Sequence, residues 1–158
     1  MSAKNSIVGK VYPLFRVRVE QGKIAEFAQA ICENNPLYFD EEAAKGEGFD
    51  GIPAPPTYGV VKAFYQSEDT WPDYAAVGLD WRYILHGEME FIYHSPMVAG
   101  QVLRVQNRIA DMYEKKGSRG GTMIFFVIES VYEDEVRGNK VLTARYTIIQ
   151  TGGVVKDT

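Results

Sequence analysis

Residues 11–20, VYPLFRVRVE, set Phe15, Val17 and Val19 in alternation with Arg16, Arg18 and Glu20, the period-two pattern of a strand with one wet face. The period then lengthens. Ile24, Phe27, Ala28, Ile31 and Cys32 fall at i, i+3, i+4, i+7 and i+8, one apolar stripe along a helix over about 22–33. Cys32 closes the stripe and is expected to be a small buried hydrophobe, since a nucleophilic cysteine wants a basic partner and its neighbour is Glu33. Asn34-Asn35-Pro36 stops the helix: Asn tolerates a left-handed cap, and Pro36 cannot continue the hydrogen-bond ladder. Asp40 N-caps a second, short helix to about Gly46, with Glu41 and Glu42 near its positive end. Beyond the proline-rich GIPAPPTYG, a third helix is expected over about 56–67, with Val60, Val61 and Phe64 on one side and Gly59 leaving room for close backbone approach.

From Glu88 onward the alternation is that of strands. MEFIYHS alternates, and QVLRVQNRIADMY sets Leu103, Val105, Asn107 and Ile109 against Val102, Arg104 and Gln106. TMIFFVIESVYE is too apolar at its centre for an edge strand, and KVLTARYTIIQ puts Leu142, Ala144, Tyr146 and Ile148 on one face. Glycines 117, 120 and 121 mark one turn and Gly138-Asn139 another, so the last three strands form a meander. Helices first and strands after predict α+β with an antiparallel sheet, one face of it covered by the helix at about 56–67. The chain is expected to be a single domain over 1–158, with a frayed tail from about 153.

Composition narrows the function classes. With 46% apolar residues the chain has the material for one core, and no apolar run reaches the roughly 18 residues of a membrane span. No secretory h-region opens the sequence, and one cysteine makes no intramolecular disulfide, so a reducing cytoplasm is the expected setting. A net charge of −4 with no basic stripe argues against nucleic acid. The densest basic patch, Lys115, Lys116 and Arg119 in EKKGSRGG, reads as a solvated hairpin tip, with a phosphate contact as the sharper alternative. His86 and His94 stand eight apart with Cys32 remote, which matches no zinc spacing, and no GxGxxG, P-loop or nucleophile elbow is present. No metal and no cofactor are expected.

One segment remains, FAQAICENNPLYFDEEAA at 27–44. It resembles the signature of the MaoC-like hydratases and dehydratases: an aromatic, a short helical stretch, then G-D-x-N-P-(L/I/V)-H-x5-A. Phe27 stands at the aromatic, Asn35-Pro36-Leu37 at N-P-L and Ala44 at the last alanine. Cys32 occupies the glycine, Glu33 the aspartate and Tyr38 the histidine. GIPAPPTYG, LHGEMEFIYHSPMVAGQVL and LTARYTIIQ also look like the corresponding stretches of the family's N-terminal, substrate-binding-subunit domains, so the resemblance spans most of 8–150. It implies a hot-dog fold, a sheet wrapped around one long helix, and the hydration of trans-2-enoyl thioesters or the reverse dehydration. Asn35, Pro36, Tyr58 and Gly59 fall where substrate would bind, and domains pair through their sheets with an acyl-CoA or acyl-carrier thioester at the shared site.

The substitutions bear on the chemistry. A histidine with a pKa near 6.5 exchanges protons at neutrality, whereas a tyrosine near 10 is about three units too high. Glu33 displaces its carboxylate by more than about 1 Å relative to aspartate, enough to matter in a pre-organised site. The expectation is a substrate-binding half whose partner supplies the Asp/His pair. The alternatives are an active homodimer using Glu33 with Tyr38 or His86, and a non-catalytic acyl-CoA-binding protein. His86, where Leu85-His86-Gly87-Glu88 enters the sheet, is expected to bond a backbone carbonyl, the functional alternative being that it reaches the thioester pocket.

Overall fold

The computed structural model describes residues 7–72, 78–117 and 121–151. Arg119, Gly120 and the tail beyond Thr151 lie outside them. The elements are β1 (Phe15–Arg18), α1 (Gln21–Ala30), a 3-10 turn at Pro36–Tyr38, α2 (Glu41–Gly46), a 3-10 segment at Tyr58–Tyr65, a 3-10 turn at Trp81–Tyr83, β2 (Ile84–Tyr93), β3 (Val102–Lys116), β4 (Thr122–Asp134) and β5 (Lys140–Gln150). The five strands form one antiparallel sheet in the order β1-β3-β4-β5-β2. The meander β3-β4-β5 occupies its centre, β4 in the middle as its apolar core requires, and β1 and β2 are the edges.

The alternation in the sequence sorts the two faces. Phe15, Val17, Leu103, Val105, Leu142 and Ala144 are buried on the inner face, where Ile24 from α1 and Tyr58 and Val61 from the 3-10 segment join them. A second apolar cluster, around Ile109, Phe126, Ile128 and Ile148, continues along the sheet. Cross-strand ion pairs run over the other face: Arg108 Nε donates to Glu129 at 2.8 Å, Arg145 Nε to the same carboxylate at 3.0 Å, and Arg145 reaches Glu90 at 3.4 Å. At the hairpin tip Lys115 lies 5.2 Å over the Tyr113 ring and 5.0 Å over Phe125, so its charge is held by the aromatic pair.

Two elements of the sheet and its cover differ from expectation. Helical turns cover the sheet at Tyr58–Tyr65, but as a 3-10 segment rather than an α-helix over 56–67. Pro53, Pro55 and Pro56 keep the approach non-helical up to the turn at Pro56, and Gly59 with two β-branched valines gives little helix propensity. A Cβ on Gly59 would lie 2.7 Å from Leu142 Cδ2 and 3.1 Å from Phe91 Cε1, so this backbone is pressed directly onto the sheet. Second, β2 begins at Ile84, so His86 is inside the strand and not in a connection. A bulge between His86 and Glu88 hides the alternation there.

Candidate functional site

The turn after α1 is built from successive caps. Glu33 N–H donates to the Ala28 carbonyl at 2.9 Å and Cys32 N–H to the Gln29 carbonyl at 3.0 Å, the pair of bonds that closes a helix through one left-handed residue. That residue is Cys32, at φ 59°, and it is exposed. The apolar stripe places Cys32 in the core; α1 instead stops at Ala30, which turns Ile31 and Cys32 to the surface. Glu33 Oε1 accepts the Asn35 N–H at 2.9 Å, and Asn35 Oδ1 accepts the Leu37 N–H at 3.0 Å, capping the turn that Pro36 opens. Asn35 and Pro36 are exposed, and Leu37 and Tyr38 fold half-buried against the core.

Tyr38 lines a 410 Å³ cleft with Leu37, Phe49, Tyr93, His94 and Met97. Burial, and then the negative charge of Glu33, hold the Tyr38 phenol above its ordinary pKa. Burial pushes Tyr93 up to about 12, and its hydroxyl donates to the Pro56 carbonyl at 3.0 Å. The imidazole in this cleft is His94, whose Nε2 lies 3.0 Å from Thr143 Oγ1. The structure therefore brings Glu33, Asn35, Pro36 and Tyr38 together, and adds His94, exposed just beyond the end of β2, which the sequence reading weighed only as a zinc ligand. Tyr58 is buried edge-on against Phe27, ring centroids 5.5 Å apart, and the Gly59 carbonyl accepts from Tyr132 Oη at 2.7 Å. Both are packed into the core beside the cleft.

His86 belongs elsewhere. It lines a second cavity of 330 Å³ between the 3-10 segment and the sheet, and its Nε2 lies 2.5 Å from the Tyr146 hydroxyl, not on a backbone carbonyl. Lys62 is the unforeseen residue here. Its Nζ donates to Asn107 Oδ1 at 2.8 Å and to Ser130 Oγ at 2.6 Å. Asn107 and Ser130 face each other across β3 and β4, and Asn107 Nδ2 donates on to the Thr70 carbonyl at 2.9 Å. Burial lowers the Lys62 pKa to about 8. The signal in the sequence was Asn107, a polar residue on the apolar side of β3; its partner 45 positions away left none. Among the described residues no group of three or more His, Cys, Asp or Glu is placed to hold a metal ion, and no helix is long and apolar enough to cross a membrane.

A five-stranded antiparallel sheet closed by short helical segments on one face, with an N-P-L turn over a cleft beside it, is the hot-dog fold of the MaoC-like dehydratases. Residues 6–144 match the family described as FAS1-like, dehydratase domain region, and the chain belongs to that family. A UPF0336 protein of Saccharopolyspora erythraea is 33% identical over 153 residues, 96% of this chain and 94% of that one. Among solved structures, a MaoC-like dehydratase superposes with a TM-score of 0.79 at 23% identity, over 96% of this chain and 44% of that chain. A chain of the truncated HadBC (3R-hydroxyacyl-ACP dehydratase) complex from Mycobacterium tuberculosis gives 0.73 at 24% identity, over 92% and 98%. This is a hot-dog protein of the dehydratase type.

Proposed function

We propose that this chain is the substrate-binding half of an enoyl-thioester hydratase or 3-hydroxyacyl-thioester dehydratase, paired with a second hot-dog chain that carries the Asp/His acid–base pair. The observation that carries the reading is what stands at the two proton-transfer positions. Tyr38 is a phenol that burial and Glu33 make harder to ionise, and the Glu33 carboxylate is engaged in capping Asn35 N–H. Neither is arranged as a ready base at neutral pH. Pairing is supported by the fold, because β2 is an open sheet edge carrying Leu85, 56% exposed, with Ile92 and Tyr93. It is supported also by the likeness to a chain of the HadBC complex, and by the MaoC-like dehydratase in which the matching part is less than half of the chain. The ligand is an acyl-CoA or acyl-carrier thioester.

The test is hydration of crotonyl-CoA and longer trans-2-enoyl-CoA by the chain alone and mixed with a hot-dog subunit bearing the intact motif. The mixture is expected to exceed the chain alone by about 100- to 10,000-fold, the usual worth of acid–base assistance. Leu85→Lys on the open edge is expected to abolish co-purification without altering the circular dichroism of the chain. Full turnover by the chain alone would refute the proposal.

A further inference from the structure

On the outer face of the sheet, four charged side chains stand directly opposite one another on four neighbouring strands. Arg108 of β3 faces Glu129 of β4, Glu129 faces Arg145 of β5, and Arg145 faces Glu90 of β2. Arg108 Nη2 lies 2.7 Å from Glu129, Arg145 Nε 3.0 Å from the same carboxylate, and Arg145 Nη1 3.4 Å from Glu90. The signs alternate along this row, and it ends on a carboxylate at the open edge. Arg145 sits closer to Glu129 than to Glu90, so the half-exposed Glu90 is the less neutralised of the two. Glu88 stands two residues away on the same face, exposed and opposite Thr147, and among the described residues none forms an ion pair with it. On its free side β2 makes no backbone hydrogen bond to any described segment.

A strand added to this edge sets its side chains about 5 Å from Glu88 and Glu90, inside the roughly 8 Å over which physiological salt screens charge. A second copy of this chain is a poor occupant of that place. In a two-fold pairing of β2 with itself, centring on Met89 puts Glu88 opposite Glu90 of the other copy. Centring on Glu88 or on Glu90 puts that glutamate opposite its own counterpart. These three registers pair most of the strand, and each brings like charges face to face, which destabilises an antiparallel pair. We propose that β2 selects by charge a partner other than its own copy. That partner is a hot-dog chain whose edge strand carries Lys or Arg opposite Glu88 and Glu90, extending the alternating row by one strand. The inference rests on the pairing through β2 invoked under the proposed function, and adds the chemistry of the partner's edge.

A charge-reversed form of the chain supplies the probe. Sedimentation velocity compares the full wild-type chain, its Glu88→Lys/Glu90→Lys variant, and their equimolar mixture. At about 50 mM salt the mixture is expected to associate about 10- to 100-fold more tightly than either alone, two like-charge cross-strand pairs being exchanged for two opposite ones. At about 1 M salt, where the screening length falls to about 3 Å, the advantage is expected to shrink to about twofold or less. Glu88→Lys alone leaves the Glu90–Arg145 contact in place, so it guards against a folding defect in the double variant; its mixture with the wild type is expected to show a smaller gain of the same sign. Leu85→Lys in the wild-type member is expected to abolish the association, which locates it on β2. A wild type that self-associates as tightly as the mixture, association untouched by Leu85→Lys, or no association in any sample would each overturn the proposal. Wild-type self-pairing that Leu85→Lys removes would still leave β2 an interface and the hydratase reading standing. A gain in the mixture without turnover in the crotonyl-CoA assay would uphold the charge selection and sink the hydratase reading.

Discussion

Cys32 shows how one side chain is set by its backbone. At φ 59° it closes α1 through the left-handed region, where a Cβ costs roughly 1–2 kcal/mol and glycine pays no such steric penalty. The glycine of the family signature thus has a conformational reason that can be read from this chain. Cys32→Gly is expected to stabilise the protein by about 0.5–1 kcal/mol in urea unfolding, the relief being partly offset by the greater backbone entropy of glycine when unfolded. The apolar stripe hid this, because periodicity continues past a helix end that hydrogen bonding has already closed. Glu33 and Tyr38 were legible as departures from a motif. That Glu33 caps Asn35 and that Tyr38 is held in its acid form follows only from their placement.

At the scale of elements, strands were easier to read than helical segments. β3, β4 and β5 alternate cleanly because each buries one face, and their cross-strand partners then follow from two short turns. The Tyr58–Tyr65 segment was located correctly, but its 3-10 geometry depends on contact with the sheet. Gly59→Ala tests that contact. A methyl 2.7 Å from Leu142 Cδ2 forces the fully buried leucine or the segment to move, and a loss of about 1–3 kcal/mol is expected in denaturant melts. The start of β2 was read late because the bulge at Gly87 interrupts the period. A Cβ there would come within 2.6 Å of Ile149 Cδ1, so any side chain at this point would push the Ile149 side chain aside.

For the molecule as a whole, the buried titratable groups set how stability responds to alkali. Lys62 has a folded pKa of about 8 against 10.5 when unfolded, so the unfolded chain binds more protons between those values and stability rises with pH. The gain expected is about 2 kcal/mol between pH 7 and 9.5. Above pH 10 the sign reverses, because burial holds Tyr58, Tyr93 and Tyr132 protonated in the folded state while their unfolded forms ionise. Urea unfolding across this range is expected to show a maximum in the wild type, and Lys62→Met is expected to lack the rising limb.

The sequence by itself determined the α+β class, the strand faces and the central place of β4, because local periodicity and turn chemistry encode these over short distances, while the altered motif at 32–38 was marked by its resemblance to the family signature. Tertiary structure decided the rest. It joined Lys62 to Asn107 and Ser130, moved His86 away from Tyr38 and brought His94 to it, and exposed Cys32. Each of those outcomes depends on which residues of distant segments meet when the 3-10 segment is pressed onto the sheet, and spacing along a single chain carries no record of that meeting.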